Sequence, residues 1–216
     1  MQACLESLKR RVRLPQEIFA ADGARAEVSY DPRRRCHLFG FPAGTKPDPG
    51  ILSLFLCHAI LAETVHPLFS CVLAEGPDAL SPKVFEGRIW PVLSCTRTWF
   101  AWALWIALCP QPAEEDLRSR YRRLFEDFPD GRVDADMTGT LDAALVIAAS
   151  TRFRFGNAHP GGRLGEAVRA FLQVNPEKAA LDSLARLNAV LLRAFSSFTV
   201  RPRRHDGFQT EIWSVS

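Results

Sequence analysis

Four groups of residues have types and spacing that could do chemistry. Arg33, Arg34 and Arg35 follow Asp31-Pro32 and form the densest positive cluster outside the two ends of the chain. Arginine makes planar, bidentate bonds to phosphate and carboxylate, so three of them on one turn could clamp an anion. Arg152, Arg154 and Arg163 flank His159 and Gly161-Gly162. They precede an expected helix N-terminus, where free N–H groups attract anions and glycine allows close approach. The spacing fits neither the dinucleotide fingerprint nor the P-loop. Asp134 and Asp136, in Val133-Asp134-Ala135-Asp136, are candidate metal ligands. Cys36-His37 and Cys57-His58 set thiol beside imidazole, with His66 and Cys71 nearby. Zinc ligands are normally spaced so that both reach one ion; adjacent residues point to opposite faces of a strand and diverge on a helix. Any of the five His could approach any Cys, so no nucleophile–base pair is named. No cofactor is expected.

Each group has a plainer reading, and it is the one adopted. The Arg33–Arg35 cluster reads as a solvated loop, Gly161-Gly162 as a plain connection, and the cysteines as small core residues. Two stretches resemble known families. Val133-Asp134-Ala135-Asp136-Met137-Thr138 contains the DxDxT of haloacid-dehalogenase-like phosphatases. That resemblance implies a nucleophilic Asp134 and an acid/base Asp136 beside Mg²⁺. The chemistry needs the first Asp at the end of a buried parallel strand, whereas residues 128–132 read as a helix stop and a turn. The alternative is an acidic loop with an Asp capping the helix that begins near Thr140. DxD also resembles the metal site of sugar-nucleotide transferases. Leu14-Pro15-Gln16-Glu17-Ile18 resembles the opening of an F-box, the short helical motif by which ligase adaptors hold a partner. Pro32 falls at a distance compatible with the F-box-like pattern of some viral silencing suppressors. The residues that follow, AADGARAE, lack the Leu-rich helices of a true F-box, so five residues carry the resemblance and no family is assigned on them.

The elements that must position these groups are organised around Lys83–Pro110, which holds four of the five Trp. Thr98–Leu108 has two competing forms. As a strand it sets Phe100, Trp102, Leu104, Ile106 and Leu108 on one face; as a helix it is apolar all round and buried. Aromatic content favours the strand and the alanines favour the helix. The reading taken is a strand pair, Val84–Leu93 and Thr98–Leu108, turning at Ser94–Arg97 with Pro91 on an edge or bulge. A membrane span is weighed and set aside, because Arg97 and Pro91 interrupt a strongly apolar run only about half as long as the roughly 20 residues a bilayer needs.

Elsewhere the patterns are clearer. Ala26–Tyr30 and Cys36–Phe41 read as a β-hairpin closed by Asp31-Pro32. Ile51–Glu75 is helical with a break at Pro67. Pro112–Phe128 is a helix with acids in its first turn and i,i+4 pairs Glu114–Arg118 and Asp116–Arg120. A helix over Thr140–Ser150, a short strand Thr151–Phe155 and a helix over Arg163–Val174 follow. Asn175 and Pro176 read as the cap and first residue of the last helix. The expected fold class is α+β: a single domain with a small antiparallel sheet, a central Trp-rich strand pair and about five helices. Residues 1–25 read as a basic arm with a short helix, 26–200 as the globular domain, and 201–216 as a basic tail that adds an edge strand or stays mobile.

A chain of 216 residues, 47% hydrophobic and 24% charged, can bury a substantial core. Its net charge of +3 permits a polyanionic partner without demanding one. Arg outnumbers Lys 23 to 4, a bias that coding composition explains as well as function. Six scattered Cys and an N-terminus without an apolar leader point to reduced thiols and an intracellular, cytoplasmic protein. The leading functional reading is a non-enzymatic binding or adaptor protein whose partner is another protein. The alternatives are RNA or DNA binding through Arg33–Arg35, Arg10–Arg13 and Arg201–Arg204, and a metal-assisted phosphoryl-transfer or hydrolytic enzyme using Asp134 and Asp136.

Overall fold

The computed structural model describes residues 1–21, 26–71, 73–77, 80–127 and 136–216. The order is α1 (Gln2–Lys9), β1 (Gln16–Ala21), β2 (Glu27–Asp31), β3 (Cys36–Pro42), α2 (Pro49–Thr64), a 3-10 turn (Pro67–Phe69) and β4 (Ala74–Glu75). A single helical turn, α3 (Pro82–Val84), and a π-helical segment (Phe85–Ile89) lead into α4 (Trp90–Leu108). Then come α5 (Pro110–Asp127), α6 (Met137–Arg152), α7 (Gly162–Leu172), α8 (Leu181–Phe195), β5 (Val200–His205) and β6 (Thr210–Val215). Among the described residues, seven helices have eight residues or more, where about five were expected.

The Trp-rich strand pair does not form. Its residues are helical throughout: Val84 ends α3, Phe85–Ile89 is π-helical, and the rest make α4, a helix buried on nearly every side, with Ser94–Arg97, the expected turn, within it. The reason is visible in consecutive positions: Trp99, Phe100, Ala101, Trp102 and Ala103 are all buried. A strand would need two covering layers for such a run, whereas a central helix is covered from all round by other helices. Here α2, α5, α6 and α8 pack against it. The alanines let those neighbours approach, and Pro91 is tolerated where the π-helical segment passes into α4, a place where the regular hydrogen-bond ladder is already interrupted. Trp99 is fully buried, tilts against Phe171 and donates its indole N–H to the Val174 carbonyl at 3.1 Å. Among the described residues, no helix is long and apolar enough to cross a membrane.

In place of one antiparallel sheet there are two three-stranded mixed sheets, ordered β1-β3-β2 and β4-β6-β5. The expected hairpin is present: β2 pairs antiparallel with β3 from Glu27↔Gly40 to Asp31↔Cys36, and Asp31 Oδ1 accepts from the Arg33 and Arg34 N–H groups to close the turn. The basic arm contributes a strand that was not expected, β1, parallel to β3 from Gln16↔His37 to Ala21↔Pro42. The tail supplies β5 and β6, and β6 is the middle strand of its sheet, not its edge, with Trp213 fully buried.

Smaller departures have local causes. α6 continues through Arg152 and a turn follows, so no strand forms at Thr151–Phe155. Asn175 does not cap the last helix, which begins at Leu181; its side-chain Oδ1 accepts from Glu177 N–H at 3.0 Å in a turn.

Candidate functional site

Sheet β1-β3-β2 carries the most distinctive surface. His37 N–H donates to the Pro15 carbonyl at 2.9 Å. In an extended strand the backbone groups of alternate residues point the same way. Glu17, Phe19 and Ala21 therefore face β3, and the N–H and C=O groups of Gln16, Ile18 and Ala20 face outward from the sheet. The same alternation on β2 aims the Tyr30 N–H away from β3.

The side chains alternate too. Val28, Phe39 and Phe41 lie on the core face, with Phe39 and Phe41 tilted against Phe55 of α2. Ile18 pairs with Phe39 in register, so it continues that apolar row beyond the cover of α2, and it is 58% exposed. Phe19, on the opposite face above Gly40, is 38% exposed. An edge strand of six residues without Lys or Pro, flanked by exposed apolar side chains, lacks the usual defences against pairing.

A buried polar knot fixes where β1 begins. Glu63, near the end of α2, accepts from the N–H groups of Arg13 (2.9 Å) and Leu14 (3.0 Å) and from His37 Nε2 (3.0 Å). His37 is fully buried; burial pushes its imidazole below its usual range, and the hydrogen bond to Glu63 opposes that shift. Leu14–Ile18, the stretch that resembles an F-box opening, is thus an extended entry into a strand and not the start of a helix.

The three turn arginines do not converge. Arg34 pairs with Glu17 on β1. The Arg33 guanidinium stacks 5.0 Å from the Phe208 ring centroid. Arg35, in the left-handed region at φ 50°, lines a cavity of about 250 Å³ with Arg13, Tyr30, His37 and Glu63. Arg152 bonds Asn175 and Glu177, each at 3.2 Å, while Arg154 and Arg163 are exposed. Asp136 caps α6 by accepting from Gly139 N–H at 2.8 Å. Asp134 lies outside the described residues, and among those described no group of three His, Cys, Asp or Glu could hold a metal ion.

Cys57 and His58 are both buried in α2. His58 Nδ1 donates to the Phe69 carbonyl at 2.8 Å, and burial with Arg97 nearby pushes the imidazole down to about 3. Arg97 is itself buried, donates to the carbonyls of Ser70 (2.7 Å) and Leu93 (3.1 Å), and is pushed down to about 10 by burial. These contacts tie the Pro67–Phe69 turn to α2 and α4.

A second surface lies on α5. Arg118 does not pair with Glu114; its guanidinium stacks 4.4 Å from the Phe155 centroid. Tyr121 and Phe125 lie 4.8 Å apart, and the three rings with Arg118, Arg122 and Glu126 line a groove of about 460 Å³. The sequence reading missed this surface, and it missed Glu63 and Ile18, because each depends on segments brought together only by the fold. Comparison with family models, with curated proteins and with solved structures finds no match to this chain.

Proposed function

We propose that this chain is a non-enzymatic binding or adaptor protein that takes up an extended segment of a partner protein along the outer edge of β1. The observation that supports this reading is the combination of outward backbone groups at Gln16, Ile18 and Ala20 with Ile18 left 58% exposed at the end of a core-facing row. Strand addition supplies main-chain hydrogen bonds, and alternate side chains supply selectivity. An apolar residue of the added strand beside Ile18 would cover the end of that row.

Ala20→Pro tests the reading with little disturbance of the fold, because the N–H it removes faces away from β3. Affinity capture from the native cell, with nuclease-treated and untreated lysates, should retain protein partners on the wild-type chain in both. Ala20→Pro should lose them while its thermal unfolding stays close to wild type. An unchanged partner set on folded Ala20→Pro refutes strand addition. Partners that vanish on nuclease treatment favour the nucleic-acid alternative.

A further inference from the structure

The groove on α5 combines two features that a surface ion-pair network lacks. Its cations are unpaired: among the described residues, no carboxylate lies within 4.0 Å of Arg118 or Arg122. Its aromatic rings are partly open: Tyr121, Phe125 and Phe155 are each intermediate in exposure. Arg118 and Arg122 are one helical turn apart, with Tyr121 and Phe125 on the same stripe, so cations and rings alternate along one face. The groove of about 460 Å³ exceeds what a single inorganic anion needs.

The placement of the rings is held from behind. A Cβ on Gly156 would lie 2.3 Å from Tyr121 Cζ, so the Tyr121 ring rests directly on the Gly156 backbone. Arg118 lies over Phe155 at 4.4 Å, and a guanidinium stacked on a ring still has its N–H edge free to bind phosphate. Glu126 also lines the groove and sets a limit on its charge. A purely acidic partner would use the arginines and leave the rings idle. An apolar partner would use the rings and strand the arginines.

We propose that this groove binds an aromatic base joined to phosphate, as presented by single-stranded nucleic acid, with Phe125 and Tyr121 as the stacking surface and Arg118 and Arg122 as phosphate ligands. The site is independent of the β1 edge and of the arginine clusters that sequence alone singled out. A free mononucleotide presents the same chemistry and is separated from the polymer by the test.

Fluorescence anisotropy with labelled oligo(rU) and oligo(dT) of twelve nucleotides measures it on the full chain. Binding should weaken with salt at a log–log slope that Arg118→Gln with Arg122→Gln makes shallower by ~1.4, two phosphate contacts on a single strand. Phe125→Leu, which keeps an apolar side chain but removes the ring, should weaken binding about 5- to 150-fold. A mononucleotide should compete only at concentrations far above the oligonucleotide if the polymer is the ligand; competition at equal concentration assigns the free nucleotide instead. No binding at low salt, equal binding by folded Phe125→Leu, or equal displacement by poly-glutamate would each overturn the proposal.

Discussion

His58→Asn should remove a steep acid sensitivity from this fold. The imidazole is 2% exposed, its Nδ1 proton is held by the Phe69 carbonyl, and its pKa is pushed down to about 3 by burial and by Arg97. The native state therefore refuses a proton that the unfolded chain takes up near pH 6.5. The stability this represents is fully present above pH 6.5. It is lost progressively as pH falls below that value, and the loss levels off near pH 3. Between pH 7.5 and pH 5 the difference is about 2 kcal/mol, from 1.36 kcal/mol per pH unit over the 1.5 units below 6.5. Asparagine places an N–H donor near the position of Nδ1 and does not titrate. Urea unfolding followed by Trp fluorescence should show the wild type losing about 2 kcal/mol more than the variant over that range. Other titrating groups, His37 among them, are common to both chains and cancel in the difference. A wild-type–variant difference that stays constant from pH 7.5 to pH 5, or a His58 resonance titrating near 6.5 in the folded protein, refutes the reasoning.

Other substitutions probe other links. Glu63→Gln replaces one of two accepting oxygens with a donor opposite backbone N–H groups; stability should fall by about 2–3 kcal/mol in urea unfolding, with faster amide exchange at Arg13 and Leu14. Gly165→Ala sets helix propensity against sterics. Alanine gains up to about 1 kcal/mol as a helix former, but its Cβ would lie 2.2 Å from the Pro160 carbonyl oxygen, so a net loss of about 1–3 kcal/mol should appear in the unfolding midpoint. Asp136→Ala removes the cap of α6 and should cost about 1 kcal/mol, whereas Asp136→Ser should retain most of it in the same assay.

The parts of the fold legible in the sequence are those set by local chemistry. Asp31-Pro32 marks a turn because the Asp side chain closes it; the apolar stripe of α5 marks a helix, although that helix begins at Pro110, so Glu114, Glu115 and Asp116 fall in its second turn and not in its first. The central stretch was ambiguous for a physical reason. When almost every residue is apolar, both the two-residue and the 3.6-residue period are satisfied, and only the arrangement of neighbours decides. Four helices around α4 decide it here. β1 was read as part of an arm because its single partner, β3, lies beyond an intervening strand and its own pattern is weak. The candidate surfaces were hidden for the same reason. Ile18 stands out only once its row is seen to run past α2, and Phe155 matters only because Arg118 comes to rest on it.

The middle position of β6 sets a timetable for synthesis. Ala74 finds its partner Trp213 about 140 residues later, an interval of roughly 7–28 s on a ribosome. The sheet containing β1 closes within the first 42 residues and can gather α2 while translation continues. The segment around β4 must wait through that interval without its companion strand. A chaperone that shields bare strand edges would therefore find a second site at β4, after the outer edge of β1 and lasting only until β6 emerges.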